Sequence, residues 1–295
     1  MRALVAGCGY TGLRLARRLV GEDHEVVGMT RDPGRTEEIA AAGARPLVIE
    51  ADDPRSTLAL KEVAPDVCFF LIPPAPLDRD PDAGRLARVV RALHRAPLEC
   101  FVYAGSTGVY GDRGGDPIDE GVLPRPESDR ARARLASERR LLELGWRYDC
   151  RPRIGRIGGI YGPGRTLGDA IRSGRYPLIA GHEGWSSRIH VDDLVTALIA
   201  VWQRGMNGRL YNLCDDEPHR SAEFARLTAR LLDIDLPEIT KEEARRVYSP
   251  DRLTRRLASR RVSNRRLREE LGVSLRYPSF REGLPAALRE EGPPP

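Results

Sequence analysis

The stretch Ala3-Leu4-Val5-Ala6-Gly7-Cys8-Gly9-Tyr10-Thr11-Gly12-Leu13-Arg14-Leu15-Ala16-Arg17-Arg18-Leu19-Val20-Gly21 decides the fold. Its first four residues form a short apolar run without helical period, which reads as a buried strand. Leu13, Leu15, Ala16 and Leu19 then make one apolar face while Arg14, Arg17 and Arg18 point elsewhere, which predicts a helix from about Thr11 to Val20 that stops at Gly21. Between the two lies G-x-G-x-x-G. In a strand-turn-helix each glycine acts differently. Gly7 makes a tight turn, Gly9 lets backbone approach a pyrophosphate, and Gly12 lets the helix pack closely on the strand. The helix start offers free N–H groups and partial positive charge to that anion. Gly7, Gly9, Tyr10, Thr11 and Gly12 are therefore the expected cradle of a dinucleotide.

Working outward, strands are expected near Glu25–Met29, Pro46–Glu50, Asp66–Ile72 and Cys100–Tyr103, separated by helices near Arg35–Ala42, Ser56–Val63 and Ala83–Arg95. A long helix at Asp129–Leu144 and a sixth strand at Asp149–Arg156 follow. Strands alternating with helices argue for an α/β fold of the Rossmann type, a doubly wound parallel sheet. The pattern then turns irregular. Gly- and Pro-rich stretches at Gly158–Arg165 and Gly174–Trp185 predict loops over a site. Helix is expected again at Val191–Gln203, Ser221–Leu232 and Asn264–Leu271, with a strand at Arg209–Leu213. Gly292–Pro295 reads as a disordered tail.

The chain has 295 residues, 41% hydrophobic and 31% charged, close to a compact globular average. It has no apolar run long enough to span a membrane and no leader of the secretory kind, so a cytoplasmic protein is expected. Cys8, Cys68, Cys100, Cys150 and Cys214 stand far apart, without paired spacing or clustered histidines; free thiols are expected, and no metal site. Of 48 basic residues only Lys61 and Lys241 are lysine. A GC-rich coding sequence accounts for that skew. The densest run, Arg245 to Arg268, lacks aromatic platforms and reads as a solvated helical face, so no nucleic-acid partner is expected.

A site for NAD would place a carboxylate at the end of the second strand to accept the ribose 2′-hydroxyl. Here that position reads Thr30-Arg31. Without the carboxylate a 2′-phosphate meets no repulsion, and Arg31, with Arg35, can pair with it. NADP is the expected cofactor and NAD the alternative.

Five further segments, in order along the chain, resemble the extended short-chain dehydrogenase/reductases, the NAD-dependent epimerase/dehydratase family. Ala51-Asp52-Asp53 resembles the acidic turn after the third strand, where a carboxylate meets adenine. Phe101 to Gly111 resembles the fifth strand and the active-site serine segment. Gly159-Ile160-Tyr161-Gly162-Pro163-Gly164-Arg165 resembles the loop after the sixth strand. Arg188-Ile189-His190-Val191-Asp192-Asp193 and Tyr211-Asn212-Leu213 are similar to later family segments. The resemblance implies a nucleotide lobe over residues 1–155, completed by about 188–214, and a substrate lobe over 156–187 and 215–291. It implies a sugar nucleotide or similar small molecule as substrate, with Thr107, Arg130, Arg165, Arg188 and His190 as candidate contacts, and a monomer or homodimer.

The chain departs from this pattern at its most chemical point. The family carries Tyr-x-x-x-Lys on the helix after the serine segment. Counting back from Leu135-Ala136-Ser137-Glu138, the tyrosine slot holds Arg130 and the lysine slot Arg134. Arginine stays charged near neutrality and cannot exchange a proton there, although Arg134 can still reach ribose or phosphate. Ser106 keeps the hydroxyl position. Thr107-Gly108 stands where dehydratases carry an Asp–Glu pair, which argues against elimination of water. Tyr110 and Tyr161 are the candidate substitute acids, with His190 in a useful titration range. Two functions follow: an oxidoreductase or epimerase-like enzyme with a displaced acid/base, or a nonenzymatic NADP-binding regulator.

Overall fold

The structure is a computed structural model that describes residues 1–74 and 84–291. Strand β1 (Arg2–Ala6) leads into helix α1 (Tyr10–Val20), β2 (Glu25–Thr30), α2 (Thr36–Ala41), β3 (Arg45–Val48), β4 (Val67–Phe70), α3 (Arg85–Leu93), β5 (Cys100–Ala104) and α4 (Asp129–Tyr148). The strands Pro152–Ile157 and Leu210–Leu213 complete one seven-stranded sheet. From one edge its order is Leu210–Leu213, Pro152–Ile157, β5, β4, β1, β2, β3, and every pairing is parallel. The chain runs outward from β1 to β3, crosses back, and runs outward again from β4. The carboxyl ends of β1 and β4 therefore flank the switch point, where such sheets open a crevice.

Alternation along β1 explains the two covered faces. Ala3 and Val5 pack with Leu15 and Leu19 of α1 and with Leu198 and Trp202 of the helix Val191–Arg204. Leu4 and Ala6 pack on the opposite face with Val89 and Val90 of α3 and Leu141 and Leu144 of α4. Leu15 and Leu19 are fully buried. Each such side chain contributes about 1.5–3 kcal/mol by leaving water. Among the described residues no helix is long and apolar enough to cross a membrane.

Most sequence-based boundaries hold to within a few residues. The segment 56–62 winds as a 3₁₀ helix rather than an α-helix, and α4 continues four residues beyond Leu144, to Tyr148. The expectations for Ala83 and for the 292–295 tail fall outside the described residues. The C-terminal part differs more. The Arg245–Arg268 run is not one solvated face. It is divided among the helices Lys241–Val247, Pro250–Leu257 and Arg265–Glu269, each short and separately started. Thr240 and Ser249 cap the first two. Arg256 lies over Tyr176 at 4.0 Å and Tyr248 at 4.8 Å and donates to the Pro177 carbonyl at 2.7 Å, so the run does have aromatic partners, Tyr248 within it and Tyr176 remote in sequence. The final helix, Phe280–Glu291, contains Pro285 and Gly283, which hid it from a reading by propensity.

α4 is fixed to the sheet by a buried ion pair. Glu138 and Arg156, 2% and 4% exposed, meet at 2.8 Å, and the Arg156 guanidinium also covers the Tyr110 ring at 4.8 Å. Removing one partner leaves an unpaired buried charge. Glu138→Leu should lower stability in urea unfolding by about 3–5 kcal/mol. Glu138→Leu with Arg156→Met should recover most of that loss; a double variant as unstable as the single would mean that packing, not charge, holds α4.

Candidate active site

The crevice at the switch point is a cleft of about 850 Å³. Its floor is the glycine turn after β1. Gly7 has φ +98°, a conformation that glycine adopts without strain, and the Gly7 and Cys8 N–H groups bond the Met29 carbonyl. A Cβ on Gly12 would fall on the Gly7 carbonyl oxygen, so α1 reaches this close to β1 only with glycine there. A Cβ on Gly9 would meet nothing nearer than the Arg35 guanidinium at 3.7 Å and would project into the cleft. α1 begins at Gly9 with no side-chain cap, and Tyr10, Thr11 and Gly12 line the cleft. Uncapped N–H groups beside a space kept free of side chains fit a pyrophosphate.

Beyond the end of β2, Thr30, Arg31 and Arg35 line the same cleft. Thr30 turns its hydroxyl back to accept the Asp32 N–H at 3.1 Å. Asp32 also lines the wall, with one oxygen of its carboxylate accepting the Gly34 N–H at 2.9 Å. Arg35 is held by Glu38 at 2.8 Å, with its guanidinium still beside Gly9. Asp52 and Asp53, expected at the adenine, stand outside the cleft lining, beside Ala51, which is part of it. Asp52 is bound by Arg85, whose hydrogen bond is the main reason its carboxyl stays below the usual carboxylate range. Asp53 accepts the Arg55 N–H. Glu50, the last residue before that turn, lines the cleft instead.

The opposite wall holds the serine segment and α4. Ser106 caps the 3₁₀ turn Thr107–Tyr110 by accepting the Gly108 N–H at 3.1 Å, which leaves its hydroxyl hydrogen free to donate. The Thr107 hydroxyl donates to the Ile157 carbonyl at 3.3 Å. Ser128 caps α4, and one turn of helix brings Arg130 and Arg134 to the same side, both in the cleft lining. Arg134 donates to the Ala104 carbonyl, at the end of β5, at 2.7 Å. Arg165 lies over the Tyr10 ring at 5.5 Å, and the Tyr10 hydroxyl donates to the Pro163 carbonyl at 3.0 Å, tying this loop to the glycine turn.

Four expected site residues lie elsewhere. Tyr110 is fully buried, donates to Asn212 Oδ1 at 2.8 Å, and does not line the cleft. Tyr161 is likewise buried, against His190 and Phe224, and burial drives its hydroxyl far above the ordinary range. Neither lines the cleft, which argues against either as the substitute acid. His190 is 1% exposed and caps the helix Val191–Arg204, its Nδ1 accepting the Asp192 N–H at 3.3 Å. Arg188 packs over Phe224 at 3.7 Å and stays outside the lining, although its Nη1 would be 3.5 Å from a Cβ on Gly159, which does line it. Hydrophobic packing claims these side chains, a demand that spacing does not reveal. Conversely, Arg85, Glu127, Arg255 and Arg260 line the cleft and were not singled out. The sequence signal for Arg255 and Arg260 was the arginine-rich run itself.

With this geometry the class is defined: a dinucleotide-type crevice joined to a polar second half bearing a serine. Residues 3–214 match the NAD dependent epimerase/dehydratase family, and the chain belongs to it. It is 30% identical to a 3-diazoavenalumate denitrifying reductase of a Streptomyces species, over 96% of this chain and 99% of that protein. It is 26% identical to a GDP-6-deoxy-D-mannose reductase of Pseudomonas aeruginosa over 58% of this chain and 59% of that one. Among solved structures, a conserved protein of unknown function from Silicibacter pomeroyi superposes with a TM-score of 0.85 at 31% identity, covering 98% of both chains. A UDP-glucose 4-epimerase from Thermotoga maritima shares the fold, at TM-score 0.81 and 18% identity over 98% of both.

Two outcomes test this geometry. Gly9→Val should leave a folded chain that no longer binds NADP(H) in calorimetry, while Gly12→Val should unfold at markedly lower denaturant; retained binding in Gly9→Val would mean the turn holds no phosphate. Burial, with Arg276 and Arg14 adding to it and Asp192 opposing, lowers His190 from 6.5 to about 4. The unfolded chain therefore takes up a proton first, and the His190 contribution, full above pH 6.5, is lost as pH falls towards 4. His190→Asn keeps a cap acceptor. It should flatten the slope of stability against pH across that window; an unchanged slope would mean His190 is not buried neutral.

Proposed function

We propose that the protein is an NADP(H)-dependent oxidoreductase that acts on a small polar molecule held between Ser106 and α4, without a tyrosine acid/base. The carrying observation is that an uncapped glycine turn and a free serine hydroxyl face each other across one cleft. When bound, the nicotinamide cofactor supplies or accepts hydride. Gly9 and the first N–H groups of α1 hold its pyrophosphate, and Arg31 and Arg35 pair with the 2′-phosphate. Arg134 occupies the lysine position of the family and reaches the end of β5. Ser106 donates its hydroxyl hydrogen to a substrate oxygen.

Arg130, in the tyrosine position, binds rather than exchanges a proton. Partial burial and the neighbouring Arg134, Arg255 and Arg165 lower it from the ordinary arginine value, yet a guanidinium starting that high stays charged at neutral pH. Within the described substrate end of the lining, Glu127 is the one carboxylate. Full-length similarity to a reductase supports reduction rather than dehydration, as does Thr107-Gly108 in place of an Asp–Glu pair. The shortage of proton-exchanging groups also supports a second reading, a nonenzymatic NADP-binding regulator.

NADPH should bind more tightly than NADH in calorimetry. A charge-assisted hydrogen bond contributes about 1.5–3 kcal/mol, so Arg31→Ala should cost NADPH about tenfold or more and leave NADH unchanged. Equal affinities in the parent protein would remove the NADP assignment. Loss of NADPH absorbance across a panel of sugar nucleotides and small carbonyls would establish turnover, with Arg130→Lys raising KM more than it lowers kcat. No turnover, together with firm NADPH binding and a cofactor-dependent partner, would favour the regulator.

A further inference from the structure

Four arginines from three separate segments converge on the substrate half of the cleft: Arg130 from α4, Arg165 from the loop after Tyr161, Arg255 from the helix Pro250–Leu257, and Arg260 just after it. Elsewhere the chain neutralises its guanidiniums locally: Arg132 with Asp129, Arg140 with Glu143, Arg172 with Asp169, Arg245 with Glu242, all within 3.0 Å. In the cleft, Arg130, Arg165 and Arg260 have no ion-pair partner among the described residues, and Arg255 has only Asp251, at 3.2 Å. Arg130 feels Arg134, Arg255 and Arg165 as repulsive neighbours, and Arg260 feels Arg255. Asp112 and Glu127 attract Arg260, and Asp251 attracts Arg130; Asp112 stands outside the lining, where its Oδ1 accepts the Gly114 and Ser259 N–H groups. Like charges held together with too few counter-ions destabilise the folded chain. An anionic ligand removes that penalty.

We propose that Arg130, Arg165, Arg255 and Arg260 form a clamp for an oxyanion group of the substrate, a phosphate or a paired carboxylate. Asp251, Glu127 and Asp112 oppose part of this charge and Arg134 adds to it beside Arg130, so guanidiniums outnumber carboxylates around the ligand space. The clamp rests on the reading that this half of the cleft receives substrate. It also explains the arginine at the tyrosine position, where the chain exchanges a proton donor for a grip on substrate charge. Guanidinium suits that grip because its planar donors match both oxygens of a carboxylate or phosphate.

The test uses the full chain with NADP⁺ at saturation, titrated calorimetrically with inorganic pyrophosphate and, separately, with phthalate. One of the two should bind, and the one that does tells phosphate from carboxylate. Its affinity should fall as salt rises. Arg130→Ala and Arg165→Ala, both at exposed positions, should each weaken binding by about tenfold or more. Arg226→Ala, on the helix Ser221–Leu231 and outside the cleft, should not. Binding of neither anion, or binding indifferent to Arg130 and Arg165, would overturn the clamp. A chain that fails to bind NADP⁺ but binds an anion through these arginines would sink the cofactor reading and leave the clamp standing.

Discussion

The approach of α1 to the end of β1 is the constraint on which the cleft depends. Gly12 has no room for a side chain above the Gly7 carbonyl, and this contact sets how far the helix start can descend towards the sheet. A larger residue would lift α1 from Val5 and expose the apolar face built from Leu15 and Leu19. Because α1 sits low, its uncapped N–H groups open onto the space between β1 and β4, and the Tyr10 hydroxyl reaches the Pro163 carbonyl across it. The same glycine thus joins packing to the shape of the cleft.

Charge organises the other half. Forty-six arginines in a chain with two lysines could have been a matter of composition alone, and many are: exposed pairs three or four residues apart, such as Arg18 with Glu22, contribute little to stability. Burial separates the consequential ones. Arg156 is neutralised inside the molecule by Glu138, and this pair fixes the middle of α4 to the sheet. About one and two turns before Glu138 on the same helix, Arg134 and Arg130 face the cleft. The helix is anchored by one arginine pair and presents two more to the ligand space.

Much of the sheet was legible because parallel strands buried on both faces leave short apolar runs, and α1 announced itself by its apolar face. The glycine turn was equally legible, since Gly7 at its positive φ and Gly12 above the Gly7 carbonyl meet demands that glycine satisfies. The other half of the site was less so. Tyr110, Tyr161 and His190 have the right chemistry on paper, but Asn212, Phe224 and Tyr277 enclose them from segments remote in sequence. Asp52 stands in the acidic turn that resembles the family's, and Arg85, 33 residues on, holds its carboxylate, a pairing that spacing does not reveal. Arg255 and Arg260 were visible as composition and invisible as placement, because short capped helices divide a run that reads as one face.

Amide hydrogen exchange of the full chain, with and without NADPH, tests the central claim most directly, since it reports on the backbone N–H groups that the account assigns to the cofactor. Protection should appear together in residues 7–12, 30–35 and 104–108, the three segments that border the cleft. NADPH binding that leaves residues 7–12 exchanging as before would contradict it.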